Sequence, residues 1–192
     1  MSNDVCSLAE FKEYLGTERS GTDTWLQSVL DAAVRAAGTA CARRFVTASG
    51  SSSARVYVPE GDIVRPHDCV SVTSITENGS TVAASDYQLE PLNGITTAGA
   101  SVPCSRIRKL GGWWYAYGRE ATVTVTADWG WTSFPDEVKQ AVLMLGRDLV
   151  AGKSTNFGIA GFTEYAAVRA RENVQVAALL RDYRRVESWG IG

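Results

Sequence analysis

Residues 121–149 read ATVTVTADWGWTSFPDEVKQAVLMLGRDL, and the hydrophobic period changes in the middle of the stretch. In the first part Val123 and Val125 alternate with threonines, the period of two expected of a half-buried strand. After Phe134 the apolar residues Val138, Ala141, Val142, Leu145 and Leu149 recur at spacings of three and four, which gathers them on one face of a helix. Pro135 suits the first helical position, and Asp136 and Glu137 complement the positive end of the helix dipole. A strand that hands over directly to an amphipathic helix points to an α+β fold.

Working toward the N-terminus, Ser7 followed by Glu10 fits a capping box, in which each side chain satisfies an orphan amide of the other. Leu8, Phe11, Tyr14 and Leu15 then share a face, and Gly16 ends the helix. Thr22 or Asp23 caps a second, longer helix. Its stripe is Trp25 or Leu26, Val29, Leu30, Ala33, Ala36, Ala37, Ala40, Cys41 and Phe45, and Arg43 and Arg44 are expected in its last turn. The small residues along it allow another helix to approach closely.

Between these helices and the decisive stretch, the composition turns to Ser, Thr, Gly and Val. Ser49 to Ser53 reads as a linker. Arg55 to Val58 alternates. Cys69 to Thr76 puts Val70, Val72 and Ser74 on one face with Ile75 opposed. Asn78-Gly79 is a tight-turn signal, because both residues tolerate positive φ. Tyr87 to Leu89 starts another strand, and Ile95 to Pro103 is a loop. Beyond the decisive stretch Gly152 stops the helix, Asn156 to Gly161 is a loop, and Thr163 to Arg171 fits strand or helix equally. A last helix runs from about Asn173 to near Trp189, with Val174, Ala177, Ala178 and Leu180 to Tyr183 as its apolar positions. The expected architecture is a helical bundle, with two N-terminal and two C-terminal helices, carrying an inserted small antiparallel β-sheet. Its parts are 1–47, 48–132 and 133–192, assembled as one composite domain.

Composition narrows the function. The 192 residues carry a net charge of -2, so no strongly basic face for nucleic acid is expected. No apolar run is long enough to cross a bilayer, and Met1, Ser2, Asn3 and Asp4 lack signal-peptide character. A cytoplasmic origin follows. Cys6, Cys41, Cys69 and Cys104 are too far apart for a metal-binding pair and read as buried thiols. The single histidine, His67, lies near Cys69, but nothing nearby orients a Cys–His nucleophile. Gly152-Lys153-Ser154-Thr155 resembles the end of a phosphate-binding loop, yet Arg147 stands where its first glycine belongs. Asp62, Asp68, Asp86 and Asp128 show no paired-carboxylate pattern. No catalytic residue, metal or cofactor is expected. Trp113, Trp114, Tyr115 and Tyr117, with Trp129 and Trp131, read as core plus a contact surface, the alternative being a platform for sugars or single strands. Arginines and acids interleave in the last segment beside Leu179, Leu180, Tyr183 and Trp189, which suits a protein partner.

Three groups of residues in order carry a resemblance. They are LAEFKEYLG (Leu8 to Gly16) with ACARRF (Ala40 to Phe45); Trp129-Gly130-Trp131 with FPDEVKQAVLMLGRDL (Phe134 to Leu149); and FGIAGFTEY (Phe157 to Tyr165) with VAALLRDYRR (Val176 to Arg185). Together they resemble the head–tail connector, or adaptor, proteins of long-tailed phages and related gene-transfer particles. The resemblance implies a structural virion protein at the head–tail neck, assembled in the cytoplasm of the infected bacterium. It implies a ring of copies, commonly twelve, beneath the portal protein, with DNA passing through its channel without sequence-specific binding. Its C-terminal segment would engage the portal, with Val176, Leu179, Leu180, Tyr183, Arg184, Arg185 and Trp189 as candidates. Trp113, Trp114, Tyr115, Tyr117, Trp129 and Trp131 would face other copies or the next neck protein, a stopper or tail terminator. A stopper or terminator role for this chain is the competing reading. The segment from Asn173 onward is expected to be a tail whose removal leaves the remainder folded.

Overall fold

The computed structural model describes residues 5–18, 20–95, 99–115, 120, 122–152 and 172–185. The chain forms two compact units, one from Met1–Val46 with Phe134–Gly192 and the other from Thr47–Ser133. The first is helical and the second is β, so the fold is mixed α+β.

In the helical unit, α1 spans Leu8–Leu15 and begins with the capping box: the Glu10 amide donates to Ser7 Oγ (3.2 Å) and the Ser7 amide to Glu10 Oε2 (2.7 Å). Helix α2 spans Asp23–Cys41 and buries Leu26, Val29, Leu30, Ala33, Ala36, Ala37 and Cys41. It ends before Arg43 and Arg44, so neither occupies its last turn. Ala42 takes a left-handed conformation (φ 52°) and the Arg43 amide returns to the Gly38 carbonyl, a helix stop built without glycine at the left-handed position. Helix α3 spans Asp136–Ala151, with Pro135 as its extended N-cap rather than its first helical residue. The stripe Val138, Ala141, Val142, Leu145 and Leu149 is buried. Gly146 lies on the same helix, and a Cβ there would sit 2.7 Å from the ring of the fully buried Phe11.

Helix α4 spans only Val174–Leu180, followed by one 3₁₀ turn at Arg181–Tyr183. The helix expected to continue to near Trp189 is therefore interrupted at Arg184, which is extended (ψ 135°), and residues 186–189 lie outside the described residues. The reason is a competing partner, because the Arg185 amide donates to the Cys41 carbonyl at the end of α2 (2.9 Å). That carbonyl belongs to the last turn of its helix and has no acceptor role inside it.

The β unit contains two antiparallel sheets rather than the single one expected. Strands β1 (Ser53–Tyr57), β3 (Cys69–Glu77), β4 (Ser80–Thr81) and β7 (Val123–Trp129) form one, in the order β1-β7-β3-β4. Strands β2 (Ile63–Val64), β5 (Tyr87–Glu90) and β6 (Arg106–Lys109) form the other, in the order β2-β6-β5. Strand β7 buries Val123, Val125, Ala127 and Trp129 in strict alternation. Strands β3 and β4 are joined by Asn78-Gly79, both at positive φ (49° and 80°). Strand β3 does not alternate as its sequence implies. Register shifts between Cys69 and Ser71 and between Val72 and Ser74 leave Val70 42% exposed, while Ile75 is fully buried.

Two outcomes follow for the helical unit. Glycine to alanine in a helix ordinarily gains about 1 kcal/mol; at Gly146 the Phe11 ring reverses the sign. Gly146→Ala is expected to cost about 1–3 kcal/mol, seen as a lower urea midpoint by circular dichroism, with partial recovery when Phe11→Leu is added. The second concerns Glu10, which accepts from Lys139 and Ser7; those bonds, Lys139 first, hold its pKa at about 2 against an ordinary 4.5. A depressed folded pKa gives stability that is present above the unfolded pKa and lost as pH falls through the folded one. The stability difference between the native chain and Glu10→Gln should therefore shrink between pH 4.5 and 2, measured by urea titration at each pH.

Candidate functional site

In the β unit the strip Leu110–Tyr115 leaves strand β6. Lys109 Nζ donates to Glu77 Oε2 (2.6 Å), the Tyr115 amide donates to Glu77 Oε1, and Thr122 Oγ1 donates to the Tyr115 carbonyl. Burial pushes the Glu77 carboxyl up, but Lys109 and the Tyr115 amide outweigh it and hold the group below the carboxylate range. The strip is thus tied at both ends to one anion. The Trp114 amide donates to the Gly61 carbonyl (2.9 Å) and its ring sits in the core beneath Lys109 Nζ (5.1 Å). Trp113 turns the other way and is 78% exposed, with one ring edge against Gly61, where a Cβ would meet it at 3.0 Å. Tyr115 is also exposed.

The other aromatic candidates are structural. Trp131 is buried and donates from Nε1 to the buried Asp68 (3.2 Å). Trp129 is buried, donates from Nε1 to the Ser53 carbonyl (2.9 Å), and carries the Arg55 guanidinium 4.4 Å above its ring. Tyr117 lies outside the described residues. The sequence thus named one aromatic surface, and the structure divides it: Trp113 and Tyr115 face outward, while Trp114, Trp129 and Trp131 pack inward. Sequence reasoning missed Val56 on β1, which is 60% exposed. It counted Val174 among the apolar positions of the last helix, but Val174 is 79% exposed, because it falls two residues before the buried Val176 and so on the opposite side of α4.

The groups that might have carried chemistry are engaged elsewhere. His67 Nδ1 shares a hydrogen bond with the Tyr57 hydroxyl (2.8 Å), whereas the buried Cys69 thiol donates to the Cys104 carbonyl (3.6 Å). Asp62 pairs with Arg108, and Asp128 accepts from the Gly50 amide (3.1 Å). Gly152 closes α3 onto the carbonyls of Asp148 and Val150, a helix stop. Among the described residues no group of His, Cys, Asp and Glu could hold a metal ion, and no helix is long and apolar enough to cross a membrane.

In the helical unit the C-terminal candidates separate in the same way. Val176 and Leu180 are fully buried and Tyr183 nearly so, its hydroxyl donating to Glu137 (2.9 Å). Burial and that carboxylate push the phenol above its ordinary pKa. The Cys41 thiol donates to the Leu180 carbonyl (3.8 Å) and Arg43 Nε to the Tyr183 carbonyl (2.6 Å). Asn173 caps α4 and donates to Asp148 (3.1 Å). The segment from Asn173 is part of the packed unit, so removing it would strip core residues from α2 and α3. Leu179 and Arg185 are half-buried and Arg184 is exposed, while Trp189 lies outside the described residues.

No protein-family model matches the sequence, and no curated protein matches it. In fold, the chain is similar to a chain of the neck of a native GTA particle computed with C12 symmetry, with a TM-score of 0.56 and 20% identity over 99% of this chain and 98% of that one. It is also similar to a chain of the neck of an empty GTA particle computed with C6 symmetry, with a TM-score of 0.58 and 24% identity over 97% of this chain and 92% of that one. GTA denotes a phage-like gene transfer agent, and both of these chains come from its neck.

The division of the aromatic strip is measurable. Trp114→Ala is expected to cost about 3–5 kcal/mol and Trp113→Ala less than about 0.5 kcal/mol, compared by urea denaturation. Trp113→Ala should also remove a solvent-exposed component of the native tryptophan emission, since Trp113 is the most exposed tryptophan among the described residues.

Proposed function

We propose that this chain is a structural, non-enzymatic subunit of the neck of a phage-like particle, and that it forms the adaptor ring joining the portal to the tail or to the next neck protein. The observation that carries the reading is the fold likeness along nearly the full length of both chains, with both neighbours drawn from particle necks. The chemistry of the surface agrees with assembly. Outward Trp113 and Tyr115 supply the rigid aromatic contacts that dominate protein interfaces. Strand β1 stands at the edge of its sheet with Val56 exposed, and an edge strand offers unpaired backbone groups to a neighbour.

In this reading copies of the chain meet head to tail, and a contact of that kind closes into a ring when the rotation between copies closes. Twelve copies are expected from the symmetry of one neighbour's particle. DNA passes through the channel, and with a net charge of -2 the subunit makes no strong, sequence-independent hold on it. The portal-facing candidates narrow to those the fold leaves exposed, Val174, Arg181 and Arg184, or half-buried, Leu179 and Arg185, with Trp189 kept from the sequence reading alone. A stopper or tail-terminator role is the second reading, favoured by the two sheets of the β unit, since such proteins are β-rich.

The test is electron microscopy of the chain mixed at micromolar concentration with the portal from the same source. A closed second ring under the portal is expected, and deletion of residues 186–192 together with Arg184→Glu should abolish it while leaving the circular dichroism unchanged. Density absent from the portal, but present on an isolated neck or tail tube, would transfer the assignment to a stopper or terminator.

A further inference from the structure

Cys69 opens strand β3 in the first sheet of the β unit, and Cys104 lies two residues before β6 in the second. Their backbones pair directly in antiparallel fashion: the Cys69 amide donates to the Cys104 carbonyl and the Cys104 amide to the Cys69 carbonyl, both at 3.0 Å. Residues opposed in this way place their side chains on the same face, with Cα atoms about 5.5 Å apart. That separation falls inside the window that a disulfide spans.

We propose that Cys69 and Cys104 are a modification site: a thiol pair that a small-molecule disulfide of the oxidised-glutathione class converts to a reversible cross-strand disulfide joining the two sheets. The proposal rests on the β unit alone and holds whether or not the chain is a neck subunit. Cys104 is the half-buried partner and Cys69 the fully buried one, so Cys104 meets the oxidant first. When Cys104 ionises, the Cys69 thiol can turn its proton from the Cys104 carbonyl to the neighbouring sulfur, and this, against the upward push of burial, lowers the Cys104 pKa from the ordinary thiol value. The Cys104 thiolate attacks one sulfur of the oxidant, forming a mixed disulfide and expelling one thiolate. Cys69, giving its proton to that thiolate, then attacks the Cys104 sulfur and expels the second. Two protein thiols and one small disulfide thus become one protein disulfide and two small thiols.

The same geometry makes the bond easy to reverse. The Cα spacing fits, but a hydrogen-bonded pair holds its Cβ atoms about 5.5 Å apart, wider than the roughly 3.5–4.5 Å of a disulfide, so closure must draw the two side chains toward each other, and a strained disulfide is the more readily reduced. The register shift directly after Cys69 gives β3 the local latitude to move. The other two cysteines are poor competitors. Burial pushes the Cys6 thiol up to about 11, and the Cys41 thiol is buried among α2 and α4 with its proton on the Leu180 carbonyl. Once formed, the link closes the loop from 69 to 104 in the unfolded chain, which opposes unfolding of the β unit.

The full chain is incubated with oxidised glutathione, alkylated and mapped. Cleavage after Glu77 is required, because no lysine or arginine separates Cys69 from Cys104 before Arg106. The expected result is a loss of two hydrogens from the intact mass and a Cys69–Cys104 linked peptide pair. A higher urea midpoint should accompany it, and dithiothreitol should reverse all three changes. Cys104→Ser should show none of the three, and Cys41→Ala should show them all. Persistent alkylation of both thiols after oxidation, a stable glutathione adduct on Cys104, or a link to another cysteine or another copy would overturn the proposal. The native-chain map alone suffices should Cys104→Ser fail to fold.

Discussion

Helix α3 is covered by segments that come from both sides of it in sequence, and the helical unit exists through that burial. Its stripe from Val138 to Leu149 is closed to solvent. Phe11 of α1 seats its ring where Gly146 has no side chain, and α4 brings Val176, Leu180 and Tyr183. The polar links sit at the margins: Lys139 to Glu10, Tyr183 to Glu137, and Asn173 to Asp148. Exposed ion pairs contribute little on their own. They fix which turn of α1 and of α4 faces α3, while buried apolar area supplies the stability. Because α4 belongs to this core, the portal contact proposed for the C-terminal end is confined to the outer face of α4 and the residues that follow it.

The β unit solves a different problem. Its strands are short, and its core leans on the volume of Trp114 and Trp129 beside Ile75, Val123 and Val125. Strand β6 reads Arg-Ile-Arg-Lys, with only Ile107 buried. A strand so basic holds its place because each charge has an anion. Arg108 meets Asp62 and Glu90, Arg106 meets Glu90, and Lys109 meets Glu77. Burial pushes Glu90 up, but the two guanidinium groups outweigh it and keep it below the ordinary carboxylate range.

These details explain what could be read from the sequence. Helices α1, α2 and α3 were legible because one face of each is apolar at helical spacing and their ends carry local signals, Ser7 with Glu10 and Pro135 with Asp136. Strand β7 was legible because one of its faces is buried without interruption. Strand β6 was not, since its pattern is set by Asp62, Glu77 and Glu90, residues 16 to 46 positions away. Bulges hid the true face of β3, because each shifts the period by one residue. The length of α4 depended on the Arg185 amide finding the Cys41 carbonyl, a tertiary partner that no local pattern announces. For the candidate surface, the sequence located the aromatic residues but could not orient them: Trp113 and Trp114 are adjacent and chemically identical, and only the Gly61 carbonyl decides which one turns inward.

The helical unit is interrupted in the chain by the whole of Thr47–Ser133, and this has a consequence for how the protein is made. On the ribosome α1 and α2 emerge first, with the apolar stripe from Leu26 to Cys41 lacking its main cover. At about 5–20 residues per second, synthesis of the intervening unit takes roughly 4–17 s before α3 can arrive. The β unit is continuous in sequence and can close as soon as Ser133 clears the exit tunnel. Nascent chains should therefore pass through a stage with a finished β unit and an open, sticky pair of helices, the window in which a chaperone has something to hold and in which one chain's α3 can dock on another chain's α2.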